Sequence, residues 1–300
     1  MSAPSSDRLS SQRLTLAPHE KDLGGGFLVR RTLPSAQRQA VGPFLFFDHF
    51  GPITAKPGDN HDVRPHPHIG LATVTYLFEG AMMHRDSTGI VQRIDPGAIN
   101  WMTAGRGIVH SERTPKEMLG VERRSHGLQL WVGLPQANEE DAPSFQHIDA
   151  GAIPAAEIGG VLVRVLIGSA FGLNSPVKTM SPTLYVDIAF ERASGAALTI
   201  PPAADERALY SVDHDIELDG ERVPACTMAV LEPGEQPVLT APRGARVVLI
   251  GGAPIGHRFM VWNFVSSSKE RIARAQDEWE AQRFEKVPGE TEFIPLPPRR

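Results

Sequence analysis

The chain has few of the features that mark secreted, nucleic-acid-binding or membrane proteins. Cys226 is the only cysteine among 300 residues, which rules out an intramolecular disulfide and favours a cytoplasmic setting. Lysine and arginine number 30 against 35 acidic residues, so no broad positive field exists to attract nucleic acid. The polar first 20 residues do not resemble a signal peptide, and no apolar run is long enough to cross a bilayer. We therefore expect no direct nucleic-acid partner and no membrane partner.

Motifs for covalent and nucleotide chemistry are also missing. The sequence contains no G-x-S-x-G, and Cys226 has no obvious base nearby, which argues against a covalent nucleophile. The segment Gly105-Arg106-Gly107 lacks the strand and helix that would flank a phosphate-binding loop. We interpret it as a tight turn between strands, in which glycine supplies a positive φ.

What the chain does have is many short apolar runs separated by 28 glycines and 26 prolines. This punctuation predicts an all-β protein of short strands, and a run such as 72–78 is rich in the β-branched and aromatic residues that strands favour. One helix is predicted at roughly Lys269–Arg283, because Ser267 and Glu270 have the capping-box spacing and Ile272, Ala275 and Trp279 share a face.

The two halves of the chain share a sequence pattern. Asp95-Pro96-Gly97 and Arg106-Gly107 recur as Glu232-Pro233-Gly234 and Arg243-Gly244, each displaced by the same 137 positions. A constant offset predicts a duplicated β unit. This offset aligns His110 with Val247 and Glu112 with Leu249, so the second copy is expected to have core residues in place of metal ligands.

Two short pairs of side chains that can bind metal indicate a metal site. His66 and His68 are separated by one residue, and so are His110 and Glu112. On a strand, residues at i and i+2 point to the same face, so two neighbouring strands could direct three imidazoles and one carboxylate at a single point. Such a mixed set favours Fe(II) or Mn(II), suits Ni or Cu as well, and leaves positions free for substrate. A closed structural zinc site is less favoured, because such sites usually use cysteine.

Other candidates have weaker support from the sequence. His84 is read either as a residue that orients a ligand or as a turn residue, and Asp48 or His49 could also orient a ligand. Several apolar residues near the histidine pairs could line a pocket or simply belong to the core: Phe44, Phe46, Phe78, Trp101 and Met102.

The region from Arg64 to Pro115 resembles the pirin family of the cupin superfamily. The residues that carry the resemblance are Arg64-Pro65-His66-Pro67-His68, Thr73-Val74-Thr75-Tyr76-Leu77, the run from Trp101 to Glu112, Phe46 to Gly51, and Trp262-Asn263-Phe264. It implies a bicupin, with two double-stranded β-helix barrels face to face and metal only in the first. It also implies that His66, His68, His110 and Glu112 are the metal ligands. Another position that is often Glu in cupins is Ala72 here, so Glu112 would supply the carboxylate.

The resemblance also sets expectations for domains and cofactor. We expect an N-terminal cupin over residues 1–135, a connecting segment over 136–180, a C-terminal cupin without ligands over 181–264, and a helix and tail over 265–300. Iron(II) is the expected metal, with Mn, Ni, Cu or Zn as alternatives, and the protein is expected to be a monomer.

Two functions are compatible with this site. The first is a quercetin 2,3-dioxygenase-like enzyme that takes a small aromatic, flavonol-like or other enolic substrate and O2, with Glu112 as the catalytic proton acceptor. The alternative is an iron-dependent, redox-sensing protein that binds a protein partner such as a transcription factor or a metabolic enzyme.

Overall fold

The computed structural model describes residues 13–23, 27–191 and 195–298. Antiparallel strands make up nearly half of this part of the chain, and it also contains three one-turn 3-10 helices at Lys116–Met118, Gln136–Asn138 and Ala150–Ala152. The strands that precede residue 150 are β1 (Thr15–Leu16), β2 (His19–Asp22), β3 (Leu28–Leu33), β4 (Phe44–Ala55), β5 (Val63–His68), β6 (Leu71–Glu79), β7 (Met82–Asp86), β8 (Val91–Ile94), β9 (Ile99–Thr103), β10 (Ile108–Arg113), β11 (Arg123–Gly133) and β12 (Ser144–Ile148).

The strands that follow residue 150 lead to the C-terminal helix. They are β13 (Ala155–Ile158), β14 (Val161–Ile167), β15 (Ser169–Ala170), β16 (Leu173–Asn174), β17 (Thr183–Ala189), β18 (Ala197–Thr199), β19 (Glu206–Ser211), β20 (Ile216–Leu218), β21 (Glu221–Val223), β22 (Met228–Leu231), β23 (Val238–Thr240), β24 (Arg246–Gly252), β25 (Phe259–Val261) and β26 (Phe264–Ser266), and the helix is α1 (Lys269–Glu280).

These strands form two β units of the same topology. The first β unit has a seven-stranded sheet in the order β12-β9-β6-β11-β4-β3-β2 and a four-stranded sheet in the order β5-β10-β7-β8. The second β unit repeats this arrangement as β1-β22-β19-β24-β17-β14-β13 and β18-β23-β20-β21. The predicted all-β class, with two similar units and one C-terminal helix, is therefore confirmed. Hydrogen bonds close neither unit into a complete barrel within the described ranges.

The second β unit takes strands from outside residues 181–264. The N-terminal strand β1 pairs with β22 of the second β unit, with Thr15 opposite Ala229. Strands β13 and β14 lie inside residues 136–180, for which the sequence predicts a connection, yet β14 pairs with β17 of the second sheet. The second sheet thus includes one strand from the N-terminal region and two from the predicted connecting segment.

The two seven-stranded sheets pack face to face and enclose the main core. Alternate residues of each strand face this core because side chains in a strand alternate between faces. On β11, Leu128, Leu130 and Val132 face the core, whereas Gln129 and Trp131 face the interior of the first β unit. The central sheets therefore serve both as an interface between units and as a wall of the site.

The topology corrects the residue alignment that the sequence repeat suggested. When the two strand orders are matched, β10 corresponds to β23. Val247 and Leu249, which the repeat aligns with His110 and Glu112, lie instead on β24, and β24 corresponds to β11. The 137-residue offset therefore aligns turns that join different strands. The strands equivalent to β5 and β10 carry Leu198 and Leu239, which pair with each other in a buried apolar cluster. The described part of the second β unit has core residues where the first has histidines, as predicted, but at other positions.

The helix α1 packs behind the strands that carry the histidines. Ile272, Ala275 and Trp279 are buried against Ile69 and Val109, which are neighbours in sequence of His68 and His110. The N-cap is Ser268, whose Oγ accepts from the Arg271 N–H at 3.2 Å, one residue later than the capping-box spacing suggested. The helix ends three residues before the predicted Arg283, close to Gln282, which has a left-handed φ of 53°. Within the described residues, no helix combines the length and apolarity required to cross a bilayer.

Candidate metal centre

Strands β5 and β10 are antiparallel neighbours, and their pairing places His110 directly opposite His66. One candidate ligand atom from each of His66, His68 and His110 lies within 4.8 Å of the other two. All three side chains are buried, with residue exposures of 7%, 1% and 1%. The i, i+2 spacing on adjacent strands thus brings the three imidazoles together, as the sequence predicted.

The hydrogen bonds of His66 and His68 direct their Nε2 atoms into this cluster. His66 Nδ1 lies 2.9 Å from the Arg64 carbonyl oxygen, and His68 Nδ1 lies 3.2 Å from the Asn263 carbonyl oxygen. A carbonyl oxygen only accepts, so each Nδ1 carries the hydrogen and each Nε2 keeps a lone pair. Both side chains therefore have the tautomer required for metal binding through Nε2.

His110 reaches the same tautomer through a chain of two side chains. Asp86 Oδ2 accepts from His84 Nε2 at 3.0 Å, and His84 Nδ1 lies 3.5 Å from His110 Nδ1. A carboxylate only accepts, so His84 Nε2 carries a hydrogen, and in the neutral tautomer the other ring nitrogen, Nδ1, is the acceptor for His110 Nδ1–H. The lone pair of His110 Nε2 is then directed at the cluster. This contact places His84 beside His110, the position that one of its two predicted roles requires.

The arrangement fits a bound cation. His68 Nε2 and His110 Nε2 lie 3.1 Å apart, and with these tautomers neither has a hydrogen to donate to the other. Burial lowers the pKa of His66 to about 4 and holds the pKa values of His68 and His110 well below the ordinary value. All three imidazoles are therefore neutral near pH 7, with buried lone pairs that a metal ion would satisfy.

Glu112 lies beside this cluster without joining it. The pairing of β5 with β10 shifts between His110 and Glu112, and Glu112 lies opposite His84 on β7. The step from His110 to Glu112 on β10 is matched by three residues on β5, from His66 to Val63, whereas β10 stays in regular register with β7. Glu112 therefore keeps the face of β10 that His110 occupies but lies opposite Val63 instead of a histidine. Glu112 lines the adjoining cavity, and burial raises its pKa to about 7. Its role as a fourth ligand remains a prediction.

A cavity of about 800 Å³ opens beside the three imidazoles. Its wall is aromatic: Trp131 lies edge-on to His68 at 5.2 Å, and Phe46 stacks on Trp131 at 4.0 Å with an interplanar angle of 12°. The Arg31 guanidinium covers the Phe46 ring at 4.2 Å and forms two hydrogen bonds with Asp48. Aromatic side chains therefore line the cavity beside the three imidazoles.

The other candidates that the sequence offered lie away from the cavity. Phe44 and Trp101 are in the core between the two large sheets, Phe78 packs against that core, and Met102 belongs to a small cluster with Ile108. His49 bonds to Tyr210 and His126 and orients none of the clustered histidines. Among the weaker candidates from the sequence, Phe46 and Asp48 are the ones that line the cavity.

One polar residue that lines the cavity, Gln129, is not predicted by any pattern in the sequence. Gln129 lies on the cavity side of β11, and its Oε1 accepts from the buried hydroxyl of Thr75 at 2.8 Å. The Nε2 hydrogens of Gln129 are left as donors on the cavity side. Only the register of β6 and β11, which places Thr75 opposite Gln129, reveals this orientation.

The C-terminal segment encloses the site from outside the first β unit. Asn263 accepts from His68, and Ile294 and Pro297 line the cavity. Glu290 accepts from Ser111, which lies between His110 and Glu112 on β10, at 2.6 Å. Glu290 also forms an ion pair with Arg113. Strand β10, which carries His110, is therefore held in place by Glu290 of the segment that follows α1.

Comparison with known proteins gives concordant results. The family model described as Pirin matches residues 26–132, and that of the Pirin C-terminal cupin domain matches residues 185–285. A pirin-like protein of Caulobacter vibrioides is 47% identical over 291 residues, covering 95% of this chain and 99% of the relative. A putative quercetin 2,3-dioxygenase of Pseudomonas aeruginosa is 43% identical over 271 residues, with coverages of 90% and 83%.

Solved structures agree with these relatives. A crystal structure of quercetin 2,3-dioxygenase from Acinetobacter baumannii has a TM-score of 0.88 and 33% identity, covering 96% of this chain and 95% of that one. The bacterial pirin YhhW from Escherichia coli, solved in complex with nickel(II), has a TM-score of 0.62 at 16% identity, with coverages of 81% and 100%, and shares the fold. Given two family matches and close relatives along nearly its whole length, the chain belongs to the pirin family.

Proposed function

We propose that this protein is a metal-dependent dioxygenase that acts on flavonol-like or other enolic aromatic compounds. The observation that carries the proposal is the convergence of three neutral imidazoles at one end of a cavity with an aromatic wall. The names of two relatives, the Pseudomonas aeruginosa putative quercetin 2,3-dioxygenase and the Acinetobacter baumannii quercetin 2,3-dioxygenase, support the same substrate class. Iron(II) is the metal we propose for the centre.

His66, His68 and His110 would hold the metal, and Glu112 would complete the set or act on the substrate. When bound, the metal would supply Lewis acidity toward an enolic oxygen and electrons for the reaction with O2. Glu112 lines the cavity beside the imidazoles and is placed to accept the proton of the substrate hydroxyl. A cation held by the three imidazoles favours the ionised form of this carboxyl group, because an opposite charge lowers its pKa.

The cavity residues would orient the substrate relative to the metal centre. Trp131 and Arg31 cover the two faces of Phe46, so the other face of Trp131 would be the flat apolar surface for an aromatic ring. Gln129 offers amide hydrogens to an oxygen on that ring, and its side chain is fixed by Thr75.

The direct test combines metal analysis with oxygen uptake. Protein loaded with Fe(II) should bind about one metal per chain and consume O2 with flavonols or related enols, and His66→Ala should lose both properties. If fully loaded protein consumes no O2 with any compound of such a panel, the dioxygenase proposal is wrong. In that case a partner retained only by the iron-loaded protein would favour the sensing alternative.

A substitution of Gln129 tests how the cavity binds substrate. In Gln129→Leu, we expect KM to rise by roughly fivefold with a smaller change in kcat, because one hydrogen bond to the substrate is worth about 1 kcal/mol. Metal content should stay at the parent level, since Gln129 is not among the clustered histidines. Gln146→Leu is the matched control, because Gln146 bonds to the Lys178 carbonyl oxygen outside the cavity. Equal KM values for the parent and Gln129→Leu would contradict the assigned role.

A further inference from the structure

We infer that Asp86 and His84 act together as a positioning pair that fixes His110 and sets both the metal affinity and the reduction potential of the centre. The inference rests on the metal centre of the proposed function but not on its substrate. Neither residue lines the cavity, so both act through His110 and not on substrate.

Strand pairing places the Asp86–His84 pair directly beside the site. Strand β7 pairs with β10 so that Asp86 lies opposite His110 and His84 lies opposite Glu112. His84 and Asp86 are themselves spaced i, i+2, and their residue exposures are 5% and 0%. Two i, i+2 pairs therefore lie beside each other: His110 and the half-buried Glu112 on β10, and the buried His84 and Asp86 on β7.

Contacts on both sides hold the pair rigid. Asp86 Oδ1 accepts from Thr88 N–H, Thr88 Oγ1 and Ile90 N–H at 2.8, 2.7 and 3.2 Å, which leaves Oδ2 for His84. Phe145 of β12 stacks on the His84 ring, with centroids 4.5 Å apart and planes 23° from parallel. Although burial acts to raise it, the hydrogen bonds from His84 and Thr88 keep the pKa of Asp86 below its ordinary value. The carboxylate is thus a fixed negative charge.

This chain distinguishes His110 from the other two histidines of the cluster. His66 and His68 donate to neutral backbone carbonyls, whereas the chain from His110 ends on a carboxylate. A carboxylate behind a ligating imidazole makes that imidazole a stronger donor. A stronger donor stabilises a trivalent ion more than a divalent one. We therefore expect Asp86 to favour ferric over ferrous iron and to lower the reduction potential.

The test is Asp86→Asn, which keeps the shape of the side chain and removes its charge. We expect affinity for Fe(II), and for Zn(II) as a redox-inert probe, to fall by roughly 10- to 100-fold in chelator competition. The potential of the iron-loaded protein should move to more positive values. A tenfold larger loss for ferric than for ferrous iron would correspond to a shift of about 59 mV. A merely structural role for Asp86 would not move the potential in this direction.

Two further variants make the result decisive. His84→Asn places an amide oxygen near the position of Nδ1 but disconnects His110 from Asp86, so it should shift the potential in the same direction. Asp149→Asn is the matched control, because Asp149 accepts from His147 at 3.1 Å in another i, i+2 pair that is not part of the metal cluster. Thermal unfolding of the metal-free proteins shows whether each variant folds.

The outcomes separate this inference from the proposed function. If Asp86→Asn and His84→Asn bind metal with the parent affinity and potential, the positioning role is wrong and the metal centre stands. If the parent binds metal and the variants shift as expected without O2 uptake by any of them, the dioxygenase proposal is wrong and the positioning role stands. If the parent binds no metal, both are wrong.

Discussion

His68→Leu is expected to abolish metal binding and turnover while leaving the metal-free protein folded. His68 is 1% exposed, and its Nε2 faces His110 Nε2 at 3.1 Å with no hydrogen between them. The metal-free parent buries these lone pairs without partners, which is unfavourable, and leucine removes one of them. The variant also loses the hydrogen bond to the Asn263 carbonyl oxygen, worth about 1 kcal/mol. We expect these effects to offset each other to within about 2 kcal/mol.

The measurement is thermal unfolding with and without added metal. A ligand that binds only the native state at 100 times its Kd stabilises a protein by about 2.7 kcal/mol. The parent should show this metal-dependent rise in Tm, and His68→Leu should show none. His147→Leu serves as the control, since His147 bonds to Asn100 and Asp149 outside the metal cluster. Parent-like stabilisation of His68→Leu by metal would show that the three imidazoles are not the site.

The histidine cluster could be predicted because strand geometry is simple. The i, i+2 spacing of His66 and His68 fixes their common face once the segment is a strand, and the same holds for His110 on the neighbouring strand. Glu112 is a different case. The pairing shift after His110 is a property of two strands together, and nothing in the sequence of β10 alone indicates it. The local pattern therefore predicts three members of the set better than the fourth.

The residues behind the site show a second limit of sequence reasoning. His84 and Asp86 have the same i, i+2 spacing as the histidine pairs, so the pattern was present in the sequence. The pattern indicates a pair behind the metal site only once β7 is known to pair with β10, and this pairing joins segments that are distant in the sequence. Gln129 offered no pattern at all, because its role depends on which face of β11 it occupies and on the hydroxyl of Thr75.

The repeat shows why a constant offset can mislead. Duplicated β units keep their strand order, but their turns differ in length, so no single offset aligns all of the strands. Glu232-Pro233-Gly234 lies between β22 and β23, whereas Asp95-Pro96-Gly97 lies between β8 and β9. Both are turns of similar chemistry at different places in the unit. Duplication was correctly predicted, and the residue equivalence of His110 and Val247 was wrong.

The interface between the two β units should make stability depend on pH through His49. Its Nδ1 lies 2.9 Å from the Tyr210 hydroxyl of the second unit, and its Nε2 lies 2.8 Å from His126 Nε2. Burial, reinforced by His126 and Arg30, lowers the pKa of His49 to about 3. The unfolded chain, with an ordinary pKa near 6.5, therefore binds one more proton between about pH 6.5 and pH 3. The contribution of His49 is fully present above pH 6.5 and is lost as the pH falls through this window.

The expected effect is large for one side chain. The free energy of unfolding should fall by up to about 1.4 kcal/mol per pH unit from His49 alone, and by about 5 kcal/mol over the whole window. His49→Gln removes this proton uptake, so the variant should be less stable than the parent at pH 7.5 and should approach or exceed it near pH 4. Urea unfolding of metal-free protein across this pH range measures the difference, and the clustered histidines contribute equally to both proteins.

Tyr210→Phe is the control that separates titration from hydrogen bonding. It removes the hydroxyl that bonds to His49, but burial raises the pKa of Tyr210 well above its ordinary value, so this group does not titrate between pH 3 and pH 6.5. Its stability should therefore lie below that of the parent by a nearly constant amount. If His49→Gln also gives a curve parallel to the parent, then His49 does not carry the pH dependence. The expected result is that the stability of His49→Gln converges with that of the parent as the pH falls, while the stability of Tyr210→Phe stays parallel to it. Both variants lose the hydrogen bond between His49 and Tyr210. The pH-dependent part of the loss would then belong to protonation of the buried His49 imidazole.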